Sequence, residues 1–175
     1  MISVRSATVD DAEAMARVNA AGWRAGYRDI VPKSRLDHLP ESRWRREMRD
    51  GLSDPQGDSF TLVAEFDGEF AGYCYVAAPA REGPEGSKTC ELVALYVDPK
   101  LWRRGIGRVL VEAVIAEAAR LGWREMVLWV FEPNQPAQDL YMDAGFAADG
   151  ESRPFVPLGI PTIRMRRALS QSPVR

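Results

Sequence analysis

The chain has 175 residues, 46% of them apolar, and its 23 basic and 25 acidic side chains leave a net charge of −2. This length and composition predict one domain over residues 1–170 with a short flexible tail over residues 171–175, and the balanced charge argues against a nucleic-acid or membrane-surface partner. The N-terminal stretch lacks a secretory signal pattern and no apolar run approaches the roughly 18 residues that span a bilayer, so we expect a cytoplasmic protein.

The first quarter of the chain predicts a strand followed by two helices. ISVRS has the composition of a short strand. Thr8 and Asp11 form a capping box for a helix over about 9–21, and a second helix is expected over about 40–51. A turn region separates the two helices.

Three strands are predicted next. SFTLVAEF and EFAGYCYVAAPA are joined by Asp67 and Gly68, which is favoured hairpin chemistry. TCELVALYV has two largely apolar faces, which indicates a central strand that is covered on both sides.

The second half predicts a helix, a strand, a short helix and two final strands. Residues 105–121 carry apolar side chains at the spacing of an amphipathic helix, and EMVLWVF is a further buried strand. The short helix is expected over 134–144 and the last strands near 146–152 and 160–168. The order is typical of a mixed α/β domain.

Cysteine and histidine usage argues against a metal site. Cys74 and Cys90 lie in apolar stretches without metal-ligand spacing, which favours small core residues over reactive thiols, and His38 is the only histidine. We therefore expect no metal.

YVDPKLWRRGIGR places two glycines and several arginines directly before a long helix. Gly105 and Gly107 allow backbone N–H groups to approach a ligand, and a helix N-terminus favours an anion such as phosphate. Arg103, Arg104 and Arg108 add positive charge. The alternative is a tight strand-to-helix turn with solvated arginines.

Two common phosphate-binding motifs are absent. The sequence contains no G-x-x-x-x-G-K-[ST] run. A dinucleotide fingerprint needs glycine at position 110, where Leu110 stands.

The stretch ELVALYVDPKLWRRGIGRVLVEAVIAEAARLGW, with NQPAQDLYMDAGF downstream, resembles the acetyl-CoA-binding core of the GNAT superfamily of N-acetyltransferases. The resemblance is specific over residues 90–146. It implies a central, mostly antiparallel twisted sheet of about seven strands, flanked by about four helices, with strands that splay at the acetyl-CoA site. Trp102 departs from the family loop [QR]-x-x-G-x-[GA]. Because that loop binds pyrophosphate through backbone N–H groups, we expect cofactor binding to survive.

The resemblance also assigns residues to acetyl-CoA. The strand that precedes the loop would pair its backbone with the pantetheine arm, although it can equally be an ordinary buried strand. Asn134 would lie near the same arm, or act simply as a helix N-cap. The residues assigned to the arm and then to the pyrophosphate are Leu95, Tyr96 and Val97, followed by Arg103, Arg104, Gly105, Ile106, Gly107 and Arg108.

Two side chains are assigned to catalysis. Glu91 matches a catalytic glutamate of several family members, and the alternative is a structural ion pair with an arginine. Tyr141 matches the tyrosine that protonates the departing thiolate, and the alternative is a core tyrosine. These roles predict a sequential reaction in which an amine attacks the thioester directly. A route through Cys90 lacks a histidine to activate the thiol.

The acceptor is expected to be a small-molecule primary amine. Trp23 and Tyr27 lie four residues apart and would wall its site, unless they serve only hydrophobic packing. RPFVPLGIPT would complete that wall. The alternatives are a peptide or protein N-terminus as the acceptor, or a non-catalytic acyl-CoA-sensing module. A homodimer is the expected assembly.

Overall fold

The computed structural model describes residues 1–82 and 86–170, so the predicted tail over 171–175 lies outside the described residues. Its strands form one sheet of seven, and all the strands predicted from the sequence are present. Their bounds are β1 Ile2–Ser6, β2 Phe60–Phe66, β3 Glu69–Ala77, β4 Thr89–Val97, β5 Glu125–Phe131, β6 Ala147–Phe155 and β7 Ile160–Ala168.

The described helices include the four predicted ones and one additional turn. That turn, α2, is too short to leave a periodic signal in the sequence. The bounds are α1 Ala12–Gly26, α2 Lys33–Leu36, α3 Glu41–Ser53, α4 Ile106–Arg120 and α5 Gln135–Asp143. None of the helices within the described ranges is long and apolar enough to cross a bilayer.

Helix α1 begins where the capping box predicts but extends five residues beyond the expected end. The Thr8 backbone N–H donates to the Asp11 carboxylate at 2.7 Å, and a 3₁₀ turn over Val9–Asp11 leads into α1. Gly22 lies inside the helix and allows α1 to approach β4 closely. A Cβ at Gly22 would lie only 2.8 Å from the Tyr96 ring.

The sheet order is β1-β2-β3-β4-β5-β7-β6, so β4 is central, as its two apolar faces predict. Among the strands of the described residues, only β4 and β5 run parallel; the other neighbours are antiparallel. Pairing of β4 with β5 ends at Leu92 and Leu128, although β4 continues to Val97. The register with β3 also skips Val93. The two central strands therefore splay apart beyond Leu92, as the family resemblance implied.

Helices cover both faces of the sheet. Helices α4 and α5 pack on the face that carries Cys74, and α1 and α3 pack on the face that carries Tyr73. Cys74 and Cys90 are fully buried in the larger core, as expected. The splayed ends of β4 and β5 thus open between two helical layers, which positions the site.

Candidate active site

A cavity of about 1120 Å³ occupies the gap between the splayed strands. It extends from the start of α4, along β4, to the β6–β7 hairpin. With one exception the predicted site residues line it. The exception is Arg104, whose guanidinium lies over the Phe66 ring at 5.2 Å, on the β2 side.

The loop before α4 has the backbone shape of an anion site. Arg103 and Gly105 both have positive φ, at 65° and 82°, and α4 begins directly after them. A left-handed conformation is costly for arginine, and such strain is retained mostly where function requires it. The first N–H groups of α4 have no partner within the helix, so they are available to a phosphate.

Trp102 takes a structural role at the position where the family has glutamine or arginine. Its indole Nε1 donates to the Val97 carbonyl at 2.8 Å, and its ring lies against Gly26 at the end of α1. The indole therefore fixes the loop to both β4 and α1. This contact leaves the backbone of the glycine turn unobstructed.

The far half of β4 presents its backbone to the cavity. Leu95 and Val97 pack into the core beside α4, while Tyr96 packs toward α1. The Tyr96 hydroxyl accepts a hydrogen bond from Trp23 Nε1 at 2.9 Å. Because β5 no longer pairs with β4 at this level, the β4 backbone has room to hydrogen-bond a ligand that lies beside it as a strand would.

Helix α5 brings Asn134 and Tyr141 to the cavity. The Asn134 carboxamide also accepts a long hydrogen bond from the Ala137 N–H at 3.4 Å, so the N-cap role is present. The Tyr141 ring packs edge-on against Phe146, with 6.0 Å between the centroids. Burial raises the pKa of Tyr141 well above its ordinary value. Among the described residues no hydrogen-bond partner of its hydroxyl is found, so a neutral phenol faces the cavity.

Glu91 is 4% exposed and lies at the cavity wall, held by Arg81. Arg81 Nη2 and Nε donate to the two carboxylate oxygens at 2.6 and 3.1 Å, and the Arg81 backbone N–H adds a third bond at 3.2 Å. The ion pair that the sequence offered as the alternative role is therefore present. It does not remove Glu91 from the cavity.

Aromatic side chains wall the opposite end. Trp23 and Tyr27 meet edge to face at 5.0 Å, and Phe131 and Phe155 meet in the same way at 5.3 Å. Tyr27 and Phe131 join the two pairs at 5.0 Å. Phe155 belongs to the RPFVPLGIPT stretch, which reaches this wall as expected.

Several lining residues were missed by the sequence reasoning. Arg81, Trp129 and Phe131 carried no local signal, because each reaches the cavity through long-range contacts. Arg153 belongs to the expected RPFVPLGIPT stretch but had been given no role of its own. The sequence contained one indirect indication of Arg81: a buried glutamate such as Glu91 needs a cation beside it.

Cys90 is not poised for a covalent step. Its side chain is fully buried, and burial raises the pKa of its thiol to about 12. Within the described ranges, no cluster of three or more histidine, cysteine, aspartate or glutamate side chains has the arrangement of a metal site.

Comparison with known proteins gives consistent matches. Residues 23–146 match the model of the family described as "Acetyltransferase (GNAT) family". The Bacillus subtilis protein named "Uncharacterized N-acetyltransferase YuaI" is 28% identical over 138 residues, covering 77% of this chain and 74% of that protein. A mycothiol acetyltransferase of Geodermatophilus obscurus is 32% identical over 113 residues, covering 62% of this chain but only 36% of that protein.

One solved structure illustrates the fold match. The PaiA N-acetyltransferase of Thermoplasma acidophilum, crystallised with coenzyme A, superimposes with a TM-score of 0.77 at 18% identity. The match covers 96% of this chain and 99% of that one.

Proposed function

The chain belongs to the GNAT family of acetyltransferases, and we propose that it transfers the acetyl group of acetyl-CoA to a primary amine of a small molecule by direct attack. The observation that carries this proposal is the continuity of the cavity. One space joins the anion-binding turn, the free edge of β4, Glu91 and Tyr141. Both co-substrates can then be bound together.

The groups that line the cavity are chemically suited to bind coenzyme A. The turn at Gly105 and Gly107 offers N–H groups to the pyrophosphate, and Arg103 and Arg108 line the cavity beside it. The β4 backbone at Leu95–Val97 suits the amide groups of the pantetheine arm. Asn134 lies on the opposite wall, so the arm would lie between β4 and α5.

The amine must lose a proton before it attacks. An alkyl amine has a pKa of about 10.4, so at pH 7 roughly one molecule in a few thousand is neutral. Removing the proton from the others costs about 4–5 kcal/mol of free energy. Glu91 is the carboxylate of the cavity that we assign to this proton, directly or through one water. Arg81 holds the carboxylate in place.

The neutral nitrogen then attacks the thioester carbonyl, and the carbon–sulfur bond breaks as the amide forms. The nitrogen loses its second proton to water, from which the Tyr141 phenol is restored after each turnover. Backbone N–H groups near the Val93 irregularity of β4 would stabilise the oxyanion. Tyr141 donates its phenolic proton to the departing sulfur. Its raised pKa keeps this proton in place across the ordinary pH range.

Two features support a small acceptor. Aromatic side chains line the cavity end opposite the pyrophosphate turn, and one relative is named for the small molecule mycothiol. The expected homodimer and cytoplasmic location rest on the sequence alone and stay predictions. Size-exclusion chromatography with light scattering tests the first of them.

Release of free thiol from acetyl-CoA across an amine panel tests the function. We expect CoA release that depends on a small primary amine and yields an equal amount of acetylated product. Binding of acetyl-CoA without turnover of any amine would favour a sensor. Turnover of peptide N-termini alone would favour the peptide alternative.

A further inference from the structure

At the acceptor end of the cavity, the charged side chains occur as pairs of opposite charge. Glu91 pairs with Arg81, Glu82 with Arg153, and Asp29 with Arg28 at 3.6 Å. All six line the cavity. Among the described lining residues at this end, each carboxylate therefore has an arginine beside it. A polycationic acceptor would find no uncompensated carboxylate here, and an acceptor without net charge fits better.

Arg81 and Glu91 form an oriented dipole in this wall. The Glu91 side chain is 5% exposed, whereas the Arg81 side chain is 55% exposed. Arg81 holds Glu91 through its backbone N–H, Nε and Nη2. Its Nη1 has no hydrogen-bond partner among the described residues. The guanidinium therefore keeps donors for a ligand while it fixes the carboxylate.

Arg153 is a second arginine that pairs with a glutamate and keeps guanidinium donors free. The Arg153 guanidinium lies 4.0 Å from the centroid of the Trp129 ring, and its Nη1 bonds to Glu82. Nε and Nη2 of Arg153 have no bond to another described residue. Stacking on the indole fixes the plane of this guanidinium beside the cavity.

We propose, on the basis of the proposed function, that the acceptor is a free α-amino acid with an apolar or aromatic side chain. The ammonium and carboxylate groups of such an amino acid are attached to the same carbon. The ammonium group complements Glu91, and the carboxylate complements Arg81. The amino group lies beside Glu91, the carboxylate binds the free donors of Arg81 and Arg153, and the side chain packs among Trp23, Tyr27, Phe131 and Phe155. A peptide N-terminus or a simple amine has no carboxylate at this position.

A matched acceptor series tests the proposal. CoA release is measured with L-phenylalanine, L-phenylalaninamide, phenethylamine and the dipeptide Phe-Gly. We expect kcat/KM for phenylalanine to exceed that of each of the others by about tenfold to hundredfold, because a charge-assisted bidentate contact is lost. The amide is a stringent comparison, since its amine is less basic and more often neutral.

The substitution Arg81→Lys separates the carboxylate contact from the support of Glu91. Lysine keeps a positive charge near Glu91 but loses the planar fork, so the preference for the acid over the amide should fall about tenfold, with the amide rate less affected. Arg120→Lys is the matched control, because Arg120 pairs with Glu117 on the outer surface of α4. It should retain the wild-type preference.

The wild-type series decides the matter even if Arg81→Lys is unstable. Equal or faster turnover of the amide or phenethylamine would overturn the amino-acid proposal and leave the acetyltransferase proposal standing. Turnover of polyamines alone would do the same, whereas turnover of peptides alone would overturn the amino-acid proposal and favour the peptide alternative. Absence of CoA release with every amine, in protein that binds acetyl-CoA, would overturn both.

Discussion

At the scale of single residues, Glu91 has a structural partner and a catalytic assignment at the same time. Replacing it with glutamine removes the proton acceptor and leaves Arg81 without its anion. We expect kcat/KM to fall about hundredfold at neutral pH, which is the lower range for general base catalysis. The defect should shrink as the pH rises toward the pKa of the amine, because the free amine then needs no base.

The measurement for Glu91→Gln is kcat/KM against pH with the best acceptor, in protein shown to be folded by thermal unfolding. A wild-type rate and pH profile would make Glu91 only the partner of Arg81. The proton would then leave through water.

Tyr141 is expected to assist the reaction without being indispensable. A thiol is a tolerable leaving group, with a pKa of about 8.5, so Tyr141→Phe should lower kcat by about hundredfold and change acetyl-CoA affinity little. Because burial raises the pKa of Tyr141, its acid form persists as the pH rises. The wild-type rate should therefore show no decline from tyrosine ionisation up to about pH 10.

Tyr73→Phe is the matched control for Tyr141→Phe. Tyr73 is buried, whereas Tyr141 is partly buried, and Tyr73 packs on the opposite face of the sheet, away from the cavity. Its variant should keep the wild-type kcat. Full activity of Tyr141→Phe would identify Tyr141 as a packing residue.

At the scale of elements, the junction of β4, the glycine turn and α4 controls cofactor binding. A Cβ at Gly107 would lie 3.5 Å from Leu140 and 3.9 Å from Val97. Alanine fits this space, but the methyl groups of valine would press into the gap between β4 and α5. We expect Gly107→Val to abolish the thermal shift that acetyl-CoA produces, and Gly107→Ala to keep most of it.

Gly51→Val provides the control for Gly107→Val, since a Cβ built on Gly51 in α3 has no atom within 4 Å apart from its chain neighbours and the backbone of its own helix. Its response to acetyl-CoA should match that of the wild type. A folded Gly107→Val protein with the full shift would show that the ligand does not pass between β4 and α5.

The elements themselves were largely predictable from local patterns. The two apolar faces of TCELVALYV placed β4 at the centre, and the Asp67–Gly68 turn gave the β2–β3 hairpin correctly. The end of α1 was not predicted correctly, because the helix continues through Gly22, which packs closely against Tyr96 of β4. The Arg81–Glu91 pair likewise joins two residues ten positions apart that no local pattern connects.

At the scale of the whole molecule, acetyl-CoA should stabilise the fold selectively. A ligand at a hundred times its Kd adds about 2.7 kcal/mol to the free energy of unfolding. For a chain of this size this corresponds to a rise in Tm of roughly 5–10 °C. NADH and ATP should produce much smaller shifts in the same assay. Equal shifts with NADH would contradict the assignment of the cavity to coenzyme A.

The most direct test of direct acetyl transfer is a time course of CoA release with and without the acceptor amine, combined with mass spectrometry of the intact protein. The account predicts CoA release only when the amine is present, one acetylated amine for each CoA, and no acetylated protein. A burst of CoA without amine, together with protein that gains one acetyl group at Cys90, would contradict it.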